Sequence, residues 1–204
     1  VKQDDKTIPK LGIKSKNEAQ KIIKDLKGAT YKVINIEKKE LKKSPYPPYT
    51  TSTLQQDAAN RLGFSTKLTM TLAQQLYEGI ELGAKGSIGL ITYHRTDSLN
   101  LAKQALEEAR KVISENYGKD YIPAQVRLYK TKSKLTQEAH EAIRPTRFSR
   151  MPEDVKKYLD ERQYKLYKLI WQRALASQMK EATLESTTVD ILAQQSTINN
   201  QQSS

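Results

Sequence analysis

A tyrosine and an arginine two residues apart are the side chains of this sequence best suited to chemistry on a phosphate. Tyr93 and Arg95 follow an apolar run at 88–91, which predicts a short buried strand after a glycine-rich turn. In an extended backbone the side chains of residues i and i+2 point the same way, so the phenol and the guanidinium could face one site. A cation beside a phenol favours the nucleophilic phenolate and neutralises a nearby phosphate. The pair suits covalent chemistry on a phosphodiester, although spacing alone favours the commoner case of a core tyrosine with a hydrogen-bonded hydroxyl.

The composition narrows the classes of partner. The chain has 204 residues, enough for one large or two small domains, and its 35 Lys and Arg against 23 Asp and Glu give a net charge of +12. This charge suits a polyanion, either nucleic acid or an anionic membrane surface. Cysteine is absent, which excludes disulfides and thiolate metal sites and permits a reducing compartment. The sequence contains no apolar run long enough for a membrane span and no secretory signal, and Val1 in place of methionine predicts a piece of a longer chain.

The elements that must position the tyrosine are mainly helices. Capping residues, glycine stops and apolar residues at helical spacing predict helices that begin at Ser15, Ser52 and Ser65, and longer helices over 101–117 and 162–179. A short helix is predicted at 137–144, stopped by Pro145. The aromatic residues of 162–179 could stack on bases, but at this spacing we expect them in the core.

Two predicted strands flank these helices, one at 31–36 and one at 187–192. Three prolines within 45–48 cannot continue a helix or a central strand, and they predict a domain boundary. The simplest arrangement pairs the two strands in one small β-containing domain and inserts the helical block between them.

Five stretches carry a resemblance to a known family. Residues 93–98 read Tyr-His-Arg-Thr-Asp-Ser, and further matches lie, in the family's order, at 48–56, 69–78, 137–146 and 169–179. Together they resemble the type IA DNA topoisomerases, and the bacterial topoisomerase I enzymes in particular. One residue departs from the pattern, because His94 stands where bacterial enzymes often carry methionine.

The resemblance implies a mainly α fold with a small β-containing domain, in which a multi-helix tyrosine domain is inserted into the arch domain of a toroidal enzyme. Residues 1–44 would form the first part of the arch, with a helix and a strand. Residues 45–180 would form the helical tyrosine domain. Residues 181–204 would supply the return strand of the arch and a polar tail.

The resemblance also implies an activity and a set of site residues. Tyr93 would cleave single-stranded DNA through a 5′-phosphotyrosyl intermediate, and strand passage and resealing would relax negative supercoils without ATP. Arg95 would be the second catalytic residue, acting on the scissile phosphate and the phenolate. DNA-binding roles would fall to His94, Thr96, Asp97, Ser98, His140 and Arg144. His94, in place of methionine, could add a phosphate contact or point away, and on its own His140 reads as an ordinary surface or packing histidine.

Cofactor and partners follow from the same resemblance. The whole enzyme would use Mg²⁺ held by carboxylates outside this chain, since no Asp-x-Asp-x-Glu cluster occurs here, and this chain would bind no metal. Its partners would be DNA, mainly single-stranded, and the remaining domains of the same polypeptide, with no membrane. We expect the enzyme in the cytoplasm, associated with the nucleoid, and we expect this chain alone to be inactive in relaxation.

Other interpretations remain open at this point. A non-catalytic helical module that binds nucleic acid explains the charge, the basic segment 127–150 and the aromatic residues equally well, but not the five matching stretches together. The topoisomerase half of a reverse gyrase is a related alternative. A basic membrane-surface domain is weaker, because no segment combines a strongly basic face with a bulky apolar one.

Overall fold

The helices and strands follow one another in an order that places a helical block between two long strands. The structure, a computed structural model, describes residues 2–3, 6–129 and 140–195. In chain order the elements of these ranges are β1 (Lys2–Gln3), β2 (Lys6–Thr7), α1 (Lys16–Lys27), β3 (Ala29–Lys43), α2 (Thr51–Leu62), α3 (Thr66–Glu78), β4 (Ile80–Glu81), β5 (Ser87–Ile88), α4 (Lys103–Asn116), α5 (Pro152–Val155), α6 (Glu161–Ala176) and β6 (Ala182–Gln195).

Side-chain caps fix where the helices begin. The hydroxyl of Ser15 accepts from the backbone of Glu18, and that of Ser65 accepts from Leu68, as the sequence predicts. The prediction for α2 was wrong by two residues, since its cap is Thr50 rather than Ser52. Thr50 and Thr53 cap one another reciprocally, which satisfies two backbone N–H groups instead of one.

The chain forms two compact units, Val1–Leu41 with Thr183–Ser204, and Lys42–Ala182. The predicted boundaries at 44/45 and 180/181 lie within three residues of these divisions. In the first unit β3 pairs with β6, as predicted. Cross-strand hydrogen bonds join Thr30 to Gln194 and Asn35 to Asp190, so the strands run antiparallel. Both strands are longer than predicted, because basic residues of an exposed ribbon can face solvent and need not end it.

The first unit contributes little core of its own. Helix α1 has no buried residue, and β3 is exposed along almost its whole length. Several of its larger apolar side chains are exposed, and Tyr31, Ile36 and Ile191 are each about 60% exposed. An isolated two-stranded sheet is marginally stable in water, and this unit leaves many of its apolar side chains exposed.

The second unit is built around a single helical core. Helices α2, α3 and α6 pack against one another, and α4 contributes its buried face to the same core. The aromatic side of α6 is in the core, as predicted, since Tyr167 and Trp171 are buried and hydrogen bond to the carbonyls of Arg150 and Phe148. These rings are therefore not available to stack on bases.

The predicted helix at 137–144 was wrong over the residues that the structure describes; residues 137–139 lie outside them. Residues 140–144 are extended, with Ile143 bridged to Tyr49 and Pro145 bridged to Ile91. The backbone N–H groups of Ala142 and Ile143 donate to other segments of the chain, to Asn100 and Tyr49. Both side chains are fully buried, so packing decides the conformation here rather than local helix propensity.

Candidate active site around Tyr93

The loop that carries Tyr93 starts on the end of α3. The hairpin of β4 and β5 returns the chain to this helix, where the N–H of Leu90 donates to the carbonyl of Leu76 at 2.7 Å. Gly89 approaches so closely that a Cβ atom there would lie 2.6 Å from the carbonyl oxygen of Tyr77. Only glycine fits this contact without movement of backbone, which explains one glycine of the predicted turn.

Two further segments hold the loop. The N–H of Thr92 donates to the carbonyl of Arg144, and the N–H of Thr146 donates to the carbonyl of Leu90, each at 2.9 Å. On the other side the N–H of Thr51, at the start of α2, donates to the carbonyl of Thr96, also at 2.9 Å. The strand predicted at 88–91 is therefore shorter than expected: β5 ends at Ile88, and a single bridge follows at Ile91.

Side chains along 93–98 alternate strictly between solvent and protein. The exposed ones are Tyr93, Arg95 and Asp97, and the buried ones are His94, Thr96 and Ser98. The backbone therefore keeps the two-residue alternation of a strand without pairing as one. As a result Tyr93 and Arg95 are both presented to solvent, which agrees with the prediction that they face one side.

Three rings surround that of Tyr93. Its centroid lies 5.4 Å from the ring of Tyr77, 5.5 Å from that of His94 and 5.6 Å from that of His140. The contact with Tyr77 is edge to face, an arrangement that aromatic pairs favour. Tyr93 nevertheless remains 37% exposed. The ring is in contact with three others while the residue stays partly open to solvent, and no described residue hydrogen bonds to its hydroxyl.

Two other tyrosines of the same unit lack this freedom. Tyr49 is 1% exposed and donates to the carboxylate of Asp57, and burial together with that hydrogen bond raises the pKa of Tyr49 to about 12. Tyr167 is fully buried and donates to a backbone carbonyl, and burial raises its pKa further. Both phenols are structural donors and cannot act as nucleophiles towards an external phosphate.

The two arginines predicted for the site differ in availability. Arg95 is exposed and forms no ion pair with a described residue. Arg144 is only 12% exposed, because Glu141 accepts two of its N–H groups and the carbonyl of Pro145 accepts a third. Its guanidinium is already occupied within the protein. The prediction that His140 and Arg144 share a helical face was wrong, since the segment is extended; His140 lies beside Tyr93, as the resemblance implies.

The buried hydroxyls of the motif bond to the loop itself. The hydroxyl of Thr96 accepts from the N–H of Ser98, and that of Ser98 accepts from the N–H of Asn100. With His94 they face the protein interior, so in this conformation none of the three side chains is free to contact DNA. Of the residues predicted to bind DNA, only Asp97 and His140 have exposed side chains in this structure, and for these two the DNA contact stays a prediction.

Three residues that hold the site were not identified from the sequence. Thr51 accepts from the N–H of Thr96 and donates to the carbonyl of His94, which ties α2 to the loop. Glu141 bonds to the N–H of Ala102 and so caps α4, whose own cap residue has no polar side chain. Tyr77 lies in the last turn of α3, within a stretch that matches the family, and its position before a glycine stop was the available signal.

Charge around the site is set by Arg95 and by burial. Burial of His94 lowers the pKa of its imidazole, the Arg95 cation lowers it further, and Glu78 opposes both.

Within 2–3, 6–129 and 140–195 no group of three His, Asp or Glu side chains is arranged to hold a metal ion. No helix in these ranges is long and apolar enough to cross a membrane.

Comparison with known proteins places this geometry in a family. A family model described as DNA topoisomerase matches residues 2–204. DNA topoisomerase 1 of Campylobacter jejuni is 52% identical over 189 residues, which cover 93% of this chain and 27% of that protein. DNA topoisomerase 1 of Helicobacter pylori is 51% identical over 172 residues, covering 84% of this chain and 23% of that protein.

A solved structure agrees with these relatives. Full-length topoisomerase I from Thermotoga maritima superposes with a TM-score of 0.69 and 39% identity, over 87% of this chain and 30% of the other. The chain therefore spans about a quarter of the length of its relatives. The match covers the exposed tyrosine, its arginine and the segments that hold them, and the chain belongs to the type IA DNA topoisomerase family.

Proposed function

We propose that this chain carries the nucleophile of a type IA topoisomerase and that Tyr93 is that nucleophile. The observation that carries the proposal is a phenol that is 37% exposed and has no hydrogen-bond partner among the described residues, two positions from the exposed Arg95, which forms no ion pair with a described residue. The names of the relatives support DNA as the substrate, and the charge of +12 suits it.

The reaction balances without an external energy source. The phenol of Tyr93 loses its proton and its oxygen forms a bond to phosphorus, while the 3′ oxygen of the neighbouring nucleotide leaves and takes up a proton. The 5′-phosphotyrosyl bond conserves the energy of the phosphodiester. Reversal after strand passage reseals the DNA, and the whole enzyme relaxes negative supercoils without ATP. Arg95 stabilises the phenolate and the charge that develops on the phosphate.

The remaining site residues divide into two groups. We assign contact with the bound strand to His140, which is exposed and lies beside the Tyr93 ring, and Asp97 lies on the same exposed side of the loop as Tyr93 and Arg95. Arg144 acts indirectly, because its pairing with Glu141 fixes the extended segment that bonds to Thr92. Thr96 and Ser98 hold the loop through their hydroxyls.

The rest of the enzyme has to supply what this chain lacks. The residues described here do not fit a Mg²⁺ site, which requires several oxygen ligands, so we assign its carboxylates to another domain and derive no step through the metal. The exposed apolar side chains of the β3–β6 unit are explained if the remaining arch domain covers them. With DNA as its substrate, we place the whole enzyme in the cytoplasm with the nucleoid.

Binding of single-stranded DNA by this chain should be weak and strongly dependent on salt. Phosphate contacts release counterions, so the logarithm of the affinity should fall almost linearly with the logarithm of the salt concentration, with a slope of about −0.7 per contact on a single strand. Fluorescence anisotropy of a labelled oligonucleotide between about 50 and 200 mM salt measures the slope. An affinity that does not change with salt would contradict an electrostatic interface.

This chain alone should not relax supercoiled DNA, although it carries the nucleophile. Attack requires alignment of phenol and phosphate, and a misplacement of about 1 Å can cost about 100-fold. Relaxation should appear only when the missing portion of the enzyme is added as a separate polypeptide. Relaxation by stoichiometric amounts of this chain, free of other topoisomerases, would show that the site is complete within it.

A non-catalytic nucleic-acid-binding module is the rival from another class, and a covalent adduct separates the two. The full-length enzyme, mixed with a single-stranded oligonucleotide and denatured rapidly, should retain DNA covalently on Tyr93. A binding module leaves no adduct. A reverse gyrase would form the same adduct, but it would also introduce positive supercoils in the presence of ATP.

A further inference from the structure

The imidazole of His94 is buried without a hydrogen-bond partner. Its side chain is 0% exposed, and neither Nδ1 nor Nε2 is bonded, a condition that no other buried side chain shares in the part of the chain that the structure describes. An unpaired buried polar group lowers stability, and an apolar side chain of similar size would avoid that cost. A histidine at this position is therefore expected to do something that an apolar residue cannot.

The surroundings of His94 connect it to the nucleophile. Its ring lies 5.5 Å from the ring of Tyr93 and 5.9 Å from that of Tyr77, and those two rings are 5.4 Å apart. The three rings form a closed triangle. Tyr93 is 37% exposed and His94 is fully buried, so the imidazole is the member of this pair that is enclosed by protein, and its ring contacts that of Tyr93.

The charged and titratable groups around this imidazole come from two elements. Tyr77 and Glu78 belong to the last turn of α3, while Tyr93 and Arg95 belong to the loop; His140 lies on the other side of the cluster, against Tyr93. Burial and the Arg95 cation both lower the pKa of the imidazole, and only the Glu78 carboxylate raises it. His94 is therefore neutral at pH 7.

We propose that His94 is the positioning residue of Tyr93, whose neutral imidazole supports the phenol ring and whose uptake of a proton opens the ring cluster. The consequence for DNA cleavage rests on the function proposed above. An imidazolium has two N–H donors, and the rings that enclose it offer no acceptor in their present geometry. Arg95 repels the charge, so the protonated ring moves towards water and Tyr93 loses its support.

The first test measures stability and does not depend on activity. Since folding lowers the pKa of His94, the unfolded chain takes up the proton first as pH falls through about 6.5, and the folded state loses stability from there down to the lower folded pKa. His94→Phe keeps a ring of similar shape and cannot titrate. Between pH 7.5 and 5.0 the full-length wild-type enzyme should therefore lose more in melting temperature than His94→Phe. Equal losses in the two proteins would overturn the proposal.

The second test measures cleavage of a single-stranded oligonucleotide under single-turnover conditions. At pH 7.5, His94→Ala should lower the rate constant of cleavage about 10- to 100-fold with little change in KM, because the phenol loses its support, and His94→Phe should recover most of this loss. Below the folded pKa of His94, the wild-type rate should fall about tenfold per pH unit relative to His94→Phe.

Two outcomes of this test would overturn the proposal. Identical pH profiles of the wild type and His94→Phe would show that protonation of His94 does not control Tyr93. Equal losses in His94→Ala and His94→Phe at pH 7.5 would show that the imidazole acts chemically rather than by support. Failure of the proposed function is distinguishable, because cleavage by Tyr93→Phe would refute the function and leave the comparison of melting temperatures valid.

Discussion

Tyr93→Phe in the full-length enzyme is expected to lower DNA cleavage and relaxation by at least about 10³-fold, to the limit of detection. The substitution removes only the hydroxyl, the atom that is proposed to attack phosphorus. The ring contacts with Tyr77, His94 and His140 all remain. Because no described residue bonds to this hydroxyl, the stability should change by no more than about 0.5 kcal/mol. Plasmid relaxation and oligonucleotide cleavage measure the loss.

A second tyrosine serves as the matched control for this prediction. Tyr117, at the end of α4, is 47% exposed, and Tyr117→Phe removes an equally accessible hydroxyl outside the ring cluster. This variant should cleave and relax DNA like the wild type. Both variants should bind single-stranded DNA normally. Residual relaxation by pure Tyr93→Phe protein would mean that another group is the nucleophile.

Asp57→Asn should markedly lower the stability of the helical unit. The Asp57 carboxylate accepts from the hydroxyl of Tyr49 and from the guanidinium of Arg173, and the side chains of the ion pair are only 20% and 17% exposed. Arg173 also lies over the Tyr49 ring, 4.5 Å from its centroid, and cannot turn to another partner without losing this contact. Removing the charge leaves a largely buried cation unpaired, so we expect a loss of about 2–4 kcal/mol in the free energy of unfolding.

Trp171 offers a local measurement of this effect. It is the only tryptophan of the chain, it is buried in α6, and its fluorescence during denaturation reports on the core to which this helix belongs. Glu161→Gln is the control. It breaks the ion pair with Lys165, but the Glu161 side chain is 80% exposed, so the free energy of unfolding should change little. If Asp57→Asn unfolded at the same denaturant concentration as the wild type, the interactions of Asp57 with Tyr49 and Arg173 would not contribute the stability expected of them.

The Asp57 carboxylate should also make the free energy of unfolding depend on pH. Burial alone would raise the pKa of Asp57, but hydrogen bonds from Tyr49 and Arg173 and the Arg173 charge hold it below its ordinary value. The stability that this group contributes is therefore present above about pH 3.9 and is lost as pH falls through the lower folded pKa. Asp57→Asn should flatten this acid limb of the stability curve.

The helices could be predicted because their signals are local. Ser15, Ser65 and Gly63 act through the few residues beside them, and the apolar spacing of α4 and α6 matches the faces that are buried. The error at Ser52 arose because Thr50 is an equally good cap. Sequence alone cannot rank two adjacent capping residues when their advantage depends on reciprocal bonding to Thr53.

The surroundings of Tyr93 could be predicted only in part. The two-residue alternation places Tyr93 and Arg95 on one side, and this depends on the loop alone. The extended segment with Arg144 depends instead on hydrogen bonds to residues about 50 to 100 positions away, such as Thr92 and Tyr49. Helical spacing predicted a shared face for His140 and Arg144 because it takes no account of such distant partners.

The ring cluster shows the same limit. Tyr77 lies in α3 and His140 lies 47 positions after Tyr93 in the sequence, so no local pattern indicates that their rings contact that of Tyr93. The burial of His94 is equally unexpected for a polar residue of a motif. It results from the alternation that exposes Tyr93, since a neighbour on the opposite side of the chain must face the protein.

Identification of the residue that becomes linked to DNA tests the central claim most directly. The full-length enzyme would be denatured during cleavage of a labelled single-stranded oligonucleotide, digested with protease, and the peptide that retains the nucleotide sequenced by mass spectrometry. The account predicts one modified residue, Tyr93, joined to a 5′ phosphate and absent from Tyr93→Phe. A covalent link to any other residue, or to a 3′ phosphate, would contradict it.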